Sequence, residues 1–275
     1  MAANMAGHSL TLFFAISASA IARALAAYVN TSLMIIGVNI PDFLYHIEIF
    51  PSDPNVYVCP LAAIAVLIFT MTMFLGAKDS TTIANVICCI NLFTLSIAII
   101  VGFFYIDISH FSDFFSKGVS NILNASSVAF FVFIGLDNGA CFIEEAINPK
   151  RDLPGSLIGS LGIASVLNIG IISIMVGMLD LNSYKNTGPT LIDAFIVKDL
   201  KVMQFLLAIG SIIGLSSTVA ACLLGQPRIF YCMAQDKLLP EKFKEVKGDN
   251  QIPLFSIIVT GRINRFASSS SCSFF

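Results

Sequence analysis

The sequence predicts an all-α protein whose helices cross a membrane several times. The first observation is the composition, since 56% of the 275 residues are hydrophobic and 12% are charged, about half the charged fraction of an average soluble domain. The second is that six apolar runs approach or exceed the length, about 20 residues, that spans a bilayer as a helix. The third is a net charge of −2 without a basic stripe, which excludes nucleic acid as a partner.

The predicted spans, labelled A to F in chain order, cover about residues 10–36, 58–76, 81–105, 125–144, 155–179 and 203–225. We interpret residues 1–261 as a single transmembrane domain and residues 262–275 as a divergent, serine-rich tail. A seventh apolar run, residues 254–261, is too short to cross. With the N-terminus inside, the cytoplasmic links hold eight Lys and Arg residues and the outer links hold four. Basic residues accumulate on the cytoplasmic side, so both termini are expected there.

Polar side chains inside spans A and F allow a structural and a functional interpretation. Span A is rich in alanine and serine, and such small side chains let helices pack closely. Arg23 within it is interpreted as snorkelling or as paired inside the bundle, with direct substrate contact as the alternative. Ser216, Ser217 and Thr218 of span F either support helix packing or line a site for the substrate or a coupling ion.

The most unusual segment is residues 126–154, where an apolar run meets Gly135 and Gly139 and carries Asp137 and Asn138. Charged groups at membrane depth are rare and mark functional positions. Glycines in mid-span permit a broken helix where the freed backbone lines a cavity. These features point to the binding site of a secondary transporter. A kinked structural helix with a buried, protonated Asp137 accounts for the same residues, and the sequence alone does not choose between the two.

A break near Gly135 would give span D its binding groups. The backbone carbonyls of Phe133, Ile134 and Leu136 would lose their helical partners there. Carbonyl dipoles aimed into a small cavity suit a cation such as a substrate ammonium group. The ring of Phe133 would then gate the cavity or lie along an aliphatic substrate.

The acidic pair at the end of span D does not suggest an enzyme. Glu144 and Glu145 lie near Lys150 and Arg151, where they form an interfacial ion-pair cluster or act as a gate. Asp137 has no second aspartate in another span with which to share a proton, as an aspartic protease requires. No hydrolase or metalloprotease motif is present in the sequence, so neither an enzyme nor a cofactor is expected.

Three stretches together resemble the cationic amino acid transporter branch of the amino acid–polyamine–organocation superfamily. They are FFVFIGLDNGACFIEEAINPKRDLP at residues 130–154, LAIGSIIGLSSTVAACLLGQPRIFYCMAQDKLLP at 207–240 and SASAIARAL at 17–25. Their order and spacing match the family across about residues 14–261. The resemblance implies the inverted-repeat fold of two related five-helix units, with spans A to F as the family's helices three to eight. The family's first two helices, and those after the eighth, have no counterpart, and residues 1–12 and the tail are unlike it.

The resemblance also assigns roles to individual residues. The implied substrate-binding residues are Phe133, Ile134, Gly135, Leu136, Asp137, Asn91, Ser216 and Ser217. The implied gating or structural residues are Glu144, Glu145, Arg228 and Asp236.

The implied function is alternating-access transport of cationic L-amino acids such as arginine, lysine and ornithine. Asn91 stands where proton-coupled bacterial relatives have a lysine, which favours uncoupled, potential-driven uptake. The alternatives are a truncated product that does not transport, and a transporter of neutral amino acids or polyamines. The expected membrane is the plasma membrane, with the lysosomal or vacuolar membrane as alternatives. The expected partners are the amino acid and membrane lipid, and association with a second copy or another chain is left open.

Overall fold

The computed structural model describes the chain in twelve ranges, which are residues 2–38, 41–45, 47–48, 57–74, 80–111, 122–123, 125–126, 129–130, 133, 148–179, 190–245 and 254–269. The helices in these ranges are α1 (Ala2–Ile36), α2 (Asp42–Tyr45), α3 (Pro60–Phe74), α4 (Ser80–Phe103), α5 (Pro149–Met178), α6 (Leu191–Val197), α7 (Lys201–Gln235) and α8 (Leu254–Ser269). Short 3-10 turns cover Ile108–Phe111 and Glu241–Phe243. The two-residue strands β1 (Ile47–Glu48) and β2 (Tyr57–Val58) pair antiparallel.

The all-α membrane fold predicted from the sequence is confirmed. Within the described ranges, four helices are long and apolar enough to cross a membrane, judged by length and composition. Their apolar parts are Met5–Ile35, Asn85–Phe103, Lys150–Met178 and Lys201–Gln235. Helix α3 is apolar but shorter. The inverted-repeat arrangement stays a prediction.

Four helices run beyond the limits that hydropathy predicts for them. Helix α1 begins at Ala2 rather than near residue 10. Helix α5 begins at Pro149 rather than near residue 155, and its first turns contain three exposed charged residues. Helix α7 continues to Gln235 through Pro227, past the predicted end near residue 225. Helix α8 continues eight residues past Gly261, through part of the predicted tail. Hydropathy marks the apolar part of a helix, whereas backbone hydrogen bonding continues for as long as the polar side chains find water or protein partners.

The described residues form two compact units. The first consists of residues 1–88 and 211–275, and the second of residues 89–210. The limits fall inside α4 and α7, so each of these helices contributes residues to both units.

The core of the first unit is made by small side chains of α1, α3 and α7. Ala22 and Ala26 of α1 pack with Ala62 and Val66 of α3 and with Val219 of α7. The alanines are one helical turn apart, so they form a narrow stripe on which a neighbouring helix can lie close. Nearer the N-terminus of α1, four more small side chains are buried, which are Ala15, Ser17, Ala18 and Ser19. The predicted close packing of span A is therefore confirmed.

Helix α8 buries mostly small and polar side chains and exposes several large apolar ones. Ser256, Thr260, Gly261, Asn264 and Ser268 are buried, whereas large apolar side chains of the same helix, Ile258, Ile263 and Phe266, are exposed. A Cβ built on Gly261 would lie 2.6 Å from Cγ2 of Thr70 in α3. Small and polar residues at the contact between helices are typical of helices packed in a membrane.

In the second unit, glycines and isoleucines bring α4 and its following turn against α5. Gly102 lies against Ile174, and Gly170 of α5 lies against Ile99 of α4. Past the end of α4, the backbone N–H of Asp107 donates to the carbonyl of Gly177 at 2.9 Å. A branched side chain on one helix thus fills the notch left by a glycine on the other.

Three helices end in the same hydrogen-bonded turn, in which a residue one or two positions past the helix adopts a positive φ. That residue is Gly37 after α1, Asp199 after α6 and Lys237 after α7, with φ values of 86°, 51° and 59°. After α1, the N–H of Val38 donates to Leu33 and that of Gly37 to Met34, at 2.9 and 3.0 Å. This pairing is the Schellman motif, which provides donors for carbonyls that the end of a helix leaves free.

Replacing Gly37 by alanine should destabilise the protein by about 1 kcal/mol, because a Cβ disfavours the left-handed conformation even though nothing lies within 4 Å of it. The matched control is Gly159→Ala in the interior of α5, where a Cβ also meets open space but the backbone is helical. That change should be neutral or stabilise by up to about 1 kcal/mol. Thermal unfolding of both variants in detergent tests this difference, and equal effects would contradict it.

Candidate functional site

Most of the predicted site in span D lies outside the described residues. Ile134, Gly135, Leu136, Asp137, Glu144 and Glu145 fall in that part of the chain. Phe133 is described and is half-buried. The substrate-binding and gating roles given to these residues therefore stay predictions.

The basic residues that follow span D are helical. Lys150 and Arg151 lie in the first turn of α5 and are exposed, next to Asp152. Pro149 occupies the first helical position, where its missing N–H costs nothing. The dipole at a helix N-terminus favours Asp152 and disfavours the two cations. Nearby carboxylates would offset that repulsion, which is one of the two roles predicted for Glu144 and Glu145, the other being a gate.

Asn91 is half-buried in α4, in the second unit. It precedes Thr94 by three residues, so the two side chains lie on the same side of the helix. Thr94 is buried, and its hydroxyl donates to the carbonyl of Ile90 at 2.9 Å. A Cβ built on Gly210 of α7 would lie 2.6 Å from Cγ2 of Thr94. The packing of Thr94 on Gly210 thus positions the helical turn that carries Asn91.

Ser216 and Ser217 are half-buried in α7, in the first unit. Ser216 precedes Val219 by three residues and Leu223 by seven, so it shares their face of the helix. Val219 and Leu223 are fully buried in the core with α1 and α3. Ser216 therefore lies at one end of a packed face. The structure describes Asn91 and the two serines in separate units.

Two charged residues of the predicted gating set lie at the end of α7. Arg228 is half-buried within the helix, although hydropathy predicts a link there. Asp236 is exposed just after the helix, and its backbone N–H donates to the carbonyl of Cys232 at 3.1 Å. The Schellman motif at Lys237 holds this turn, since Leu238 donates to Met233 at 2.9 Å.

Arg23 is paired inside the first unit. Its Nε–H donates to the backbone carbonyl of Ser268 at 3.4 Å. Ser268 lies in the last turn of α8, where carbonyls are free of helical donors and the helix dipole favours a cation. This contact confirms the prediction that Arg23 is paired within the bundle.

Hydropathy did not predict the buried polar cluster that is formed by Thr11, Gln226, Thr260 and Asn264. Gln226 falls in a predicted link, and Asn264 in the predicted tail. A signal was nevertheless present, because Thr260 and Asn264 are four residues apart and share a helix face. Within the described ranges, no three His, Cys, Asp or Glu side chains come together in a way that could hold a metal ion.

The comparison with known families decides the class of protein. Residues 1–268 match the family described as amino acid permease. The chain belongs to the amino acid permease family. The match includes residues 1–12 and 262–268, which looked unlike the family from their sequence alone. This match confirms the prediction that the chain belongs to a family of permeases rather than to a family of enzymes.

Individual relatives of this amino acid permease come from a plant and a bacterium. It is 32% identical over 264 residues to the vacuolar cationic amino acid transporter 4 of Arabidopsis thaliana, covering 94% of this chain and 43% of the relative. It is 30% identical over 262 residues to the mitochondrial cationic amino acid transporter 3 of the same plant, covering 93% and 42%. It is 28% identical over 260 residues to the methylthioribose transporter of Bacillus subtilis, covering 94% and 56%. The chain thus spans about half the length of these relatives, or less.

Gly210→Ala should destabilise the permease by about 1–3 kcal/mol, because the new Cβ would overlap Cγ2 of Thr94. Thr94→Ser removes that methyl group and keeps the hydroxyl, so the double variant should recover part of the loss. A double-mutant cycle of thermal unfolding in detergent measures this coupling. Gly162→Ala, which meets open space in α5, is the control. Strictly additive effects at residues 94 and 210 would rule out the contact.

Proposed function

We propose that this amino acid permease transports cationic L-amino acids, such as arginine, lysine and ornithine, across a membrane by alternating access. The observation that carries the proposal is the match of more than nine-tenths of the chain to relatives named as cationic amino acid transporters. Helices with the length and composition of membrane spans support it. The proposal describes the activity of the whole protein that contains this chain.

In the proposed mechanism, the broken part of span D binds the amino group of the substrate. Carbonyls of Phe133, Ile134 and Leu136 accept hydrogen bonds from the ammonium group, and Asp137 contributes negative charge. Discontinuous membrane helices present unpaired backbone groups in this way in secondary transporters. The half-buried ring of Phe133 packs along the aliphatic part of the side chain.

The membrane potential drives uptake in this mechanism. Moving one positive charge across 100 mV is worth about 2.3 kcal/mol, so an inside-negative potential favours entry of arginine over leucine. Asn91 supports this mode, because an amide does not take up or release a proton near neutral pH. The family resemblance also assigns substrate binding to Ser216 and Ser217, and a gating or structural role to Glu144, Glu145, Arg228 and Asp236.

The proposed location is the plasma membrane, with both termini in the cytoplasm, and a vacuolar or lysosomal membrane is the alternative. One relative carries "vacuolar" in its name and another carries "mitochondrial", so the names of relatives favour no single compartment. The excess of basic residues in the predicted inner links supports the orientation.

A second candidate substrate class is a neutral polar molecule. The relative named as a methylthioribose transporter matches 94% of this chain at 28% identity, close to the identity of the plant relatives. Neutral amino acids belong to the same class for the purpose of a test, because their transport does not move net charge. Polyamines share the cationic class with arginine.

Uptake by the 275-residue chain in proteoliposomes tests the proposal. Labelled arginine, lysine and leucine are compared, with and without an imposed inside-negative potential. Saturable arginine uptake that rises with the potential is the expected result. Uptake of leucine that exceeds that of arginine and ignores the potential would favour a neutral substrate. No uptake by correctly inserted protein would overturn the proposal for this chain.

Asp137→Asn should lower arginine uptake at least tenfold, which corresponds to about 1.4 kcal/mol, because it removes the charge assigned to the ammonium site. The matched control is Asp152→Asn, which removes an exposed carboxylate from the first turn of α5 and should leave uptake unchanged. Equal insertion and equal elution as a monodisperse peak show that both variants fold. Normal uptake by Asp137→Asn would remove that residue from the site.

A further inference from the structure

A cluster of uncharged polar side chains is buried where α1, α7 and α8 meet in the first unit. Its members are Thr11 of α1, Gln226 of α7, and Thr260 and Asn264 of α8, and their exposed fractions are 7%, 1%, 1% and 0%. The cluster is unusual because α8 turns this polar face inward and exposes apolar side chains on other faces. Buried polar groups are costly unless they are hydrogen-bonded, so each donor and acceptor of the cluster should have a partner.

Most of the cluster is satisfied by side-chain amides. Nδ2 of Asn264 donates to Oε1 of Gln226 at 2.7 Å and to the backbone carbonyl of Thr260 at 2.8 Å. Nε2 of Gln226 donates to the backbone carbonyl of Thr11 at 3.4 Å. Since both partners of Asn264 Nδ2 are acceptors, the nitrogen must face them, and this fixes the orientation of the amide. The amide oxygen, Oδ1, therefore points away from both.

Two buried atoms of the cluster have no hydrogen-bond partner in the part of the chain that the structure describes. They are Oδ1 of Asn264 and Oγ1 of Thr260. The two residues are four apart in α8, so their side chains are neighbours on one face. Buried threonine hydroxyls elsewhere in the chain donate to a carbonyl one turn earlier, as Thr70 does to Val66 and Thr94 does to Ile90. Thr260 departs from this pattern, which leaves its hydroxyl available to a ligand.

We propose that Thr260 and Asn264 form a binding site for one ordered water molecule on the buried face of α8. The water donates one hydrogen bond to Oδ1 of Asn264 and forms a second with the hydroxyl group of Thr260, which can donate or accept. Buried waters in proteins typically make two to four hydrogen bonds to polar groups of this kind. One molecule therefore satisfies both unpaired atoms.

Water fits this site better than a cation does. All four residues of the cluster are uncharged, and Asn264 and Thr260 provide two free oxygen atoms. A buried cation needs a larger set of oxygen ligands and, without a neighbouring negative charge, is strongly disfavoured. A neutral molecule that both donates and accepts has neither requirement.

The water would complete the hydrogen bonding of Asn264. The amides themselves link the helices, since Asn264 of α8 reaches Gln226 of α7 and Gln226 reaches the backbone of α1. Gln226 directly precedes Pro227, which has no N–H to donate to the preceding turn of α7. The inference does not depend on the transported substrate, so it stands or fails separately from the proposed function.

Thr260→Val tests the site, because valine keeps the shape of threonine and removes only the hydroxyl. If water is bound, the variant should lower the apparent Tm in detergent by about 2–4 °C, the shift expected for a lost hydrogen bond in a chain of this size. Thr260→Ser keeps the hydroxyl and is the control that should retain the water. If the hydroxyl is simply unpaired, its removal should leave the Tm unchanged or raise it, which would overturn the proposal.

A high-resolution structure of the 275-residue chain in a lipid nanodisc gives a second readout that does not depend on stability. Density for a single solvent molecule within hydrogen-bond distance of Asn264 Oδ1 and Thr260 Oγ1, absent in Thr260→Val, is the expected result. The lack of such density in the unmodified chain would overturn the proposal. The Tm should be the same in sodium chloride and choline chloride, and a sodium-dependent Tm that Thr260→Val abolishes would replace the water by a cation.

Discussion

The structure depends on one constraint, which is that a polar group buried among apolar helices must find its hydrogen-bond partner within the protein or in a bound water. Most hydroxyl groups satisfy this constraint within their own helix, by donating to a backbone carbonyl one turn earlier. Ser17 and Ser19 of α1 donate to Phe13 and Ala15, and Thr70 of α3 donates to Val66, all at 2.7 Å. Gln226 and Asn264 meet it over a longer distance, because their amides join α7 to α8 at 2.7 Å.

Small side chains make these contacts reachable. Ala22 and Ala26 let α3 and α7 approach α1, and Gly261 lets α8 approach Thr70 of α3. In a membrane the hydrophobic effect does not favour contact between helices over contact with lipid. Close backbone approach and hydrogen bonds therefore stabilise the association of helices. This explains why α8 turns Ser256, Thr260 and Asn264 inward while Ile258 and Ile263 are exposed.

The predicted site in span D and the packing that the structure describes involve mostly different residues. The substrate-binding roles proposed for Gly135 and Asp137 rest on the resemblance of their segment to cationic amino acid transporters and on the cost of charge at membrane depth. After that segment in the sequence, α5 begins at Pro149, and Lys150 and Arg151 in its first turn are exposed. For Asn91 and Ser216 the structure also shows the packed faces on which the side chains lie. Transport by alternating access requires such faces to have two discrete arrangements.

The sequence by itself determined the class of this protein, because apolar runs of about 20 residues have one stable form in a bilayer, and it determined the family through motifs at fixed spacing. It also favoured an Arg23 that snorkels or is paired inside the bundle over one that contacts the substrate directly. Only the tertiary structure decided that the partner is the carbonyl of Ser268, that α7 continues through Pro227, and that Asn264 is buried. Hydropathy averages over all faces of a helix, whereas burial depends on which face meets a neighbour, and that choice is made by contacts between residues as far apart as Thr11 and Gln226.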